Sequence, residues 1–338
     1  MQTLSLVRQI VLGIILVVIA GIGAGIAMDH SQWKQRFTSE RSEVRSAVPE
    51  GNGLTSAAAP SDELPDTGFV PATQSPPANH LLGGQLLQRS LWSVALGRGM
   101  PYSIYLPPDY QSSDTRYPVL YLLHGYYGNY MEWADIGIHR VADEMIRVQT
   151  IEPLIVVMVE GETSYFVNHG DSGPRWGDYV ERDVVTTIDE SYRTIPTRAA
   201  RAVGGLSMGG HAALRIAFQH PEIFGGVGAH SPTLRWERPE DKFEFADDTY
   251  YDSINPLQIA REAPSLDQLR IWIDVGDEDW NWFWVSDLHD ELTTRTIPHE
   301  FSFFRGQHEG TYWSAHLVTY LDFYARAFHS PVAPDVAR

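Results

Sequence analysis

The chain has 338 residues, 43% of them hydrophobic and 12% aromatic, enough to bury one large core and far from the composition of a disordered chain. A formal net charge of −18 argues against nucleic acid as a partner, since neutralising phosphates needs a basic face and no basic cluster is visible. The absence of cysteine excludes disulfides, thiolate catalysis and Cys-type zinc sites, while leaving the compartment open.

From Ile10 to Met28 the chain carries no charge and is almost wholly aliphatic, long enough to cross a bilayer core of about 30 Å as a helix. Residues 1–28 are therefore expected to direct the chain to a membrane. The apolar run exceeds the usual signal-peptide core of about 7–15 residues, which favours an uncleaved anchor over a cleaved signal ending at Gly25-x-Ala27. Only Arg8 precedes the run, whereas Lys34, Arg36, Arg41 and Arg45 follow it, a distribution that taken alone would keep the remainder in the cytoplasm. The layout of short N-terminus, apolar run and tail nevertheless resembles export signals. The expectation is a membrane-anchored protein with an extracytoplasmic globular part, or a secreted or periplasmic one after cleavage. Residues 29–84 lack periodicity, and from Ser46 to Asn79 they are rich in Pro, Ser, Ala, Gly and Thr, the composition of a flexible spacer.

The globular part is expected over 85–330, with 331–338 as a tail. Leu91 to Leu96 and Tyr102 to Leu106 flank Gly97-Arg-Gly-Met-Pro101, the pattern of a β-hairpin. Pro118 to Leu123, Leu154 to Val159 and Ile271 to Val275 are apolar at nearly every position, as strands covered on both faces are, and Phe301 to Phe304 reads as a last strand. Between them lie helical stretches over Met131 to Ile146, Tyr179 to Tyr192, Met208 to Phe218, Trp282 to Leu292 and Thr311 to Phe328. This alternation implies an α/β fold with a mainly parallel sheet and helices on both faces, whose sites form at the carboxyl ends of the strands. The stretch from Pro232 to Pro256, mixing Trp, Phe and Tyr with Glu and Asp, is too long for an ordinary connection and reads either as a cap or as a surface excursion.

Arg201 to Gly204 reads as a strand end and Met208 onward as a helix. Between them, Gly205-x-Ser207-x-Gly209 has the spacing of a tight turn that lifts a serine hydroxyl out of the backbone as a nucleophile. Such a serine needs a base, an acid to orient it, and amide donors for an oxyanion. Among 13 histidines, His308 stands out because it follows the last strand and precedes the final helix. His211 lies one turn beyond Ser207 and points along the helix; His124 belongs to the loop after the first long strand; His230, His289 and His316 take no role. Ile273-Asp-Val-Gly-Asp-Glu-Asp279 delivers carboxylates at another strand end, so that Asp277 or Asp279 can reach the imidazole while the other caps the helix starting near Trp282. No metal-ligand motif accompanies these carboxylates, and neither metal nor cofactor is expected. The amides of Tyr126, in Leu123-His-Gly-Tyr-Tyr-Gly128, and of Met208, directly after the serine, are the candidate oxyanion donors.

With those residues in place, the chain resembles the esterase D-like, feruloyl esterase-like branch of the α/β-hydrolases, which includes feruloyl esterases, S-formylglutathione hydrolases and bacterial mycolyltransferases. The resemblance rests on Tyr117-Pro-Val-Leu-Tyr-Leu-Leu-His-Gly125 with Trp133, Gly204-Gly-Leu-Ser-Met-Gly-Gly210, Gly276-Asp-Glu-Asp279, and Gly306-Gln-His308 with Trp313, over roughly Gln85 to His329. It implies an α/β-hydrolase fold and serine esterase activity, with Asp279 as the acid, Asp277 in reserve, and Tyr126 and Met208 as the oxyanion amides. An acyltransferase to a sugar or lipid alcohol would use the same residues, and an inert, membrane-tethered binding protein would keep the fold without the chemistry. Tyr126, Tyr127, Trp176, Trp280 and Trp282 are expected near the mouth of the site, where they would suit a sugar ring or aryl group.

Overall fold

The computed structural model describes residues 83–329 except 171. The expected membrane segment 1–28, nearly all of the spacer 29–84 and the tail 331–338 lie outside the described residues. Among the described residues no helix is long and apolar enough to cross a membrane.

An eight-stranded sheet runs in the order β1-β2-β4-β3-β5-β6-β7-β8. Its strands are β1 (Gln85–Ser93), β2 (Arg98–Leu106), β3 (Val119–Leu123), β4 (Ile155–Val159), β5 (Arg201–Leu206), β6 (Gly226–His230), β7 (Arg270–Gly276) and β8 (Glu300–Phe304). The opening hairpin and its junction with β4 are antiparallel, and every later pairing is parallel. The helices used below are α1 (Ile138–Arg147), α2 (Val185–Ser191), α3 (Met208–Gln219), α4 (Asp248–Ile254), α5 (Pro256–Glu262), α6 (Trp282–Thr294), α7 (Gly310–Ala315) and α8 (Leu317–His329).

Side-chain alternation sorts each central strand onto two cores. Val119, Tyr121 and Leu123 of β3 join α2, α3, α5 and α6 on one face, while Leu120 and Leu122 join α1 and α8 on the other. Both β3 and β4 are buried at every residue, which is why their sequences are apolar throughout. Each such aliphatic side chain contributes roughly 1.5–3 kcal/mol by leaving water, so the middle of the sheet is a firm base for the loops at its carboxyl edge.

Three expected helices are interrupted. Met131 to Ile146 divides into a single turn, Glu132–Asp135, and α1, because Gly137 takes φ 102 between them. Tyr179 to Tyr192 opens with a π-helical turn over Tyr179–Val184 before α2. Thr311 to Phe328 breaks at His316 into α7 and α8, with Trp313 of α7 packed against His308 and Tyr320 and Tyr324 of α8 packed against His230. Strand β6 was not anticipated.

Beneath β6 and β7, on the face that α8 covers, lies a fully buried polar cluster. Asp274 Oδ1 accepts from the hydroxyls of Tyr312 at 2.7 Å and Tyr320 at 3.0 Å. Its Oδ2 accepts from Trp272 Nε1 at 2.8 Å and lies 2.7 Å from His230 Nδ1, whose Nε2 is 2.9 Å from the Tyr324 hydroxyl. A carboxylate without solvent is tolerated here because donors surround both oxygens.

Candidate active site

The carboxyl ends of β3, β5, β6, β7 and β8 converge on one rim, and each contributes a loop to it. Ser207 sits at the turn from β5 into α3 with φ 54 and ψ −116, a conformation that side-chain-bearing residues rarely adopt. The turn closes only because its flanks are bare: a Cβ on Gly205 would overlap the Gly209 backbone, and one on Gly209 would overlap the Leu123 carbonyl. Backbone bonds then hold it, the Ser207 amide donating to the His230 carbonyl at 3.0 Å and the Thr233 amide to the Ser207 carbonyl at 3.0 Å.

Three side chains distant in sequence form one hydrogen-bonded line. Ser207 Oγ is 2.8 Å from His308 Nε2, and His308 Nδ1 is 2.8 Å from Asp279 Oδ2. Asp279 is fully buried, and its remaining bonds fix it. Oδ2 also accepts from the Ser231 hydroxyl at 2.6 Å, and Oδ1 accepts from the Asn281 amide at 2.7 Å. With Asp279 Oδ2 accepting from Nδ1–H, the imidazole presents a bare Nε2 to the serine. Trp313 and Trp280 flank the His308 ring, each with its ring centre 5.1 Å away.

Asp277 is placed differently: its Oδ1 accepts from the Gly306 amide at 2.9 Å, tying the β7 and β8 loops together. Neither it nor Asp279 caps α6 through its side chain in the usual sense; Asn281 occupies the cap position without a side-chain cap bond.

Among the described residues, the amides of Tyr126 and Met208 bond no protein acceptor, and Gly125, Tyr126 and Ser207 line one cavity. The loop bearing Tyr126 is anchored from below, where the Gly125 amide donates to Glu132 Oε2 at 2.6 Å and the Gly128 amide to the Gly125 carbonyl at 3.0 Å. His124 belongs to this scaffold rather than to the reacting groups: Nε2 accepts from the Gly161 amide at 2.9 Å, and Nδ1 lies 2.7 Å from the Gly125 carbonyl.

The cavity has a volume of about 730 Å³. Much of one wall comes from the stretch 232–256, through Thr233, Arg235, Lys242 and Tyr251 among others, so this stretch caps the serine. Tyr127 is 91% exposed at the rim and Trp280 is 52% exposed beside His308. Trp176, expected near the mouth, is instead 3% exposed, packs edge-on against Tyr179 in the main core, and lines no part of this cavity. Trp282 likewise packs against Phe283 and Phe303 instead of the mouth.

Several groups at the site were not singled out from sequence. Thr233 Oγ1 lies 3.1 Å from Ser207 Oγ. Asn281 bonds the Pro232 carbonyl through its side chain and so joins the acid loop to the cap. His211 lines the cavity floor with neither ring nitrogen bonded among the described residues. Burial first, and then the nearby Arg215 charge, push its imidazole down to about 3, so it is neutral at neutral pH. Among the described residues no group of three or more His, Asp or Glu is placed to hold a metal ion.

Residues 93–324 match the family model called Esterase. The chain is 34% identical over 154 residues to an endo-1,4-beta-xylanase/feruloyl esterase of Xylanibacter ruminicola, covering 43% of this chain but only 21% of that protein. It is 25% identical over 269 residues to an acetyl esterase of Caldicellulosiruptor saccharolyticus, covering 71% of this chain and 98% of that one. Among solved structures, a ferulic acid esterase superposes with a TM-score of 0.66 at 25% identity, covering 72% of this chain and 98% of its own.

Proposed function

The chain belongs to the Esterase family, within the α/β-hydrolase superfamily, and we propose that it is a serine carboxylic-ester hydrolase working through an acyl-enzyme. The observation that carries this reading is the line Ser207–His308–Asp279, with both links at 2.8 Å. In it, Ser207 Oγ attacks the acyl carbon while His308 Nε2 takes the hydroxyl proton. The carbonyl oxygen becomes an oxyanion stabilised by the Tyr126 and Met208 amides, neither of which bonds a protein acceptor among the described residues. As the tetrahedral intermediate collapses, the bond to the alcohol oxygen breaks and His308 hands that oxygen its proton, leaving the acyl group on Ser207. A water then attacks the acyl carbon, giving its proton to His308, and the second collapse returns that proton to Ser207 Oγ and releases the acid. Asp279 holds the tautomer and offsets the imidazolium charge throughout.

Relatives named for feruloyl and acetyl esters make these the first acyl groups to try, and Tyr126, Tyr127 and Trp280 around the mouth suit a ring. The test is covalent labelling with a fluorophosphonate followed by peptide mapping, together with hydrolysis of p-nitrophenyl acetate and of feruloyl esters. Label on Ser207 with turnover of at least one ester is expected; no label at Ser207 would overturn the reading. The apolar segment 10–28 and the spacer after it would hold the catalytic domain outside the cytoplasm on a membrane anchor, a placement that membrane fractionation and surface proteolysis of the full chain would test.

A further inference from the structure

The cap supplies three cations to the cavity, Arg235, Arg238 and Lys242, and only two have carboxylate partners. Arg238 pairs with Asp248 at 2.9 Å, and Lys242 has Asp241 at 3.4 Å while lying over the Tyr126 ring at 4.3 Å. Arg235 is different. Glu237 and Asp241 line the same cavity, yet among the described residues no carboxylate approaches within 4.0 Å of its guanidinium.

This unpaired charge is built into place. The guanidinium carbon lies 4.5 Å from the ring centre of Trp284 and 5.7 Å from that of Trp280. The Arg235 carbonyl accepts from the Tyr251 hydroxyl at 3.0 Å and from Asn255 Nδ2 at 3.0 Å, and Asn255 is itself buried. Ring faces hold the plane of a guanidinium while leaving its edge N–H groups free, and those groups match two oxygens of one anion. In a chain of net charge −18, a fixed and unneutralised cation inside the reaction cavity departs from the general electrostatics of the molecule.

Its position also says which part of an ester it would meet. The oxyanion points at the Tyr126 and Met208 amides, whereas the leaving oxygen must lie at His308 Nε2 to collect the proton. Trp280 packs against His308 with ring centres 5.1 Å apart, and the Arg235 guanidinium carbon lies 5.7 Å from the centre of that same Trp280 ring, which puts the cation near the leaving-group side. We propose that Arg235, seated on Trp284 and Trp280, is the specificity determinant for esters whose alcohol portion carries a carboxylate or another anionic oxygen group. This rests on the serine esterase reading and adds the class of leaving group.

The test uses two aryl acetates of opposite character at that position, the anionic para-acetoxybenzoate and its neutral methyl ester, with purified full chain and the Arg235→Gln and Arg235→Lys variants. The two esters form the same acetyl-enzyme, and their differing intrinsic reactivity cancels when variants are compared, so the readout is the change in the ratio of their kcat/KM values. Arg235→Gln is expected to lower that ratio, anionic over neutral, by at least about tenfold through KM, with Arg235→Lys in between because it keeps charge without the planar fork. In the unaltered protein, para-hydroxybenzoate should inhibit methyl-ester hydrolysis more strongly than para-hydroxybenzamide does, and raising the ionic strength should narrow the gap. That measurement needs no variant and stands even if a substitution disturbs the cap. A ratio unchanged by Arg235→Gln, or equal inhibition by the two phenols, would overturn the inference while leaving the esterase reading intact. Hydrolysis of neither ester, with no fluorophosphonate label at Ser207, would instead overturn the reading beneath it.

Discussion

The Thr233 hydroxyl stands 3.1 Å from the Ser207 hydroxyl, on a segment whose own amide bonds the Ser207 carbonyl. Ser207 Oγ therefore has two hydrogen-bond neighbours, His308 Nε2 and Thr233 Oγ1, and a single proton to give. When that proton goes to His308, Thr233 can donate to the serine oxygen and fix its lone pairs toward the cavity. Thr233→Val keeps the shape and removes this donor, so kcat should fall by about threefold to tenfold with KM little changed. Steady-state kinetics on one aryl ester decides it, and an unaltered kcat would show that the hydroxyl is a bystander.

The three residues of the hydrogen-bonded line should fail as a unit. Ser207→Ala is expected to lower kcat on the order of 10³-fold or more, and adding His308→Ala should cost little further, because a base without a nucleophile has nothing to activate. Asp279→Asn should lose on the order of 10³–10⁴-fold through the wrong imidazole tautomer. Thermal unfolding of each variant beside its rate separates lost chemistry from lost fold.

Glu132 gives a prediction about the oxyanion loop. Its carboxylate accepts from the Gly125 amide at 2.6 Å, one residue before Tyr126, whose amide is the proposed oxyanion donor. Glu132→Ala should free that loop and lower kcat by about tenfold to a hundredfold, and Glu132→Gln, which still accepts, should recover a good part. If Ala and Gln behave alike, the contact does not position the donor.

The unbonded imidazole of His211 sets part of the acid sensitivity. An unfolded chain takes up that proton near the ordinary value of 6.5, whereas the fold holds the group down to about 3. Between those values the unfolded state binds more protons. This group therefore imposes no penalty above pH 6.5, and a growing one as the pH falls toward 3. At pH 5 the penalty is about 2 kcal/mol. Urea unfolding at pH 7 and pH 5 should show His211→Leu losing less stability on acidification than the natural chain by roughly that amount. Burial also lowers His139, His169 and His316, so some acid sensitivity remains in the variant.

The strands and the serine turn were readable because each is a local pattern: unbroken apolar runs for β3, β4 and β7, and paired glycines around Ser207. What could not be read depends on who stands opposite. Strand β6 is Gly226-Val-Gly-Ala-His230, without a run of branched residues, because a Cβ at Gly228 would collide with the Tyr324 hydroxyl arriving from α8. Asp277 and Asp279 leave the same loop, and only the donors Ser231 and Asn281 fix which carboxylate meets the imidazole. Trp176 stands among residues that suit a pocket, yet the π-helical turn after it belongs to the core, and the ring goes inward. Arg235, Glu132 and Thr233 carry no motif at all; their positions come from the cap and from the glycine loop folding over the rim.

The cluster around Asp274 ties the serine turn to α8 across a long stretch of sequence. His230 gives its carbonyl to the Ser207 amide, while its ring is wedged between Asp274 and tyrosines that arrive only with α8. The imidazole at 308 likewise comes from far along the chain, 101 residues after the serine it bonds. Under the proposed mechanism, a polypeptide synthesised only as far as α3 therefore holds a serine with neither its base nor its buttress. Removing α8 is accordingly expected to weaken the seat of Ser207, because it takes away the tyrosines that hold the His230 ring while leaving every residue of the serine turn in place.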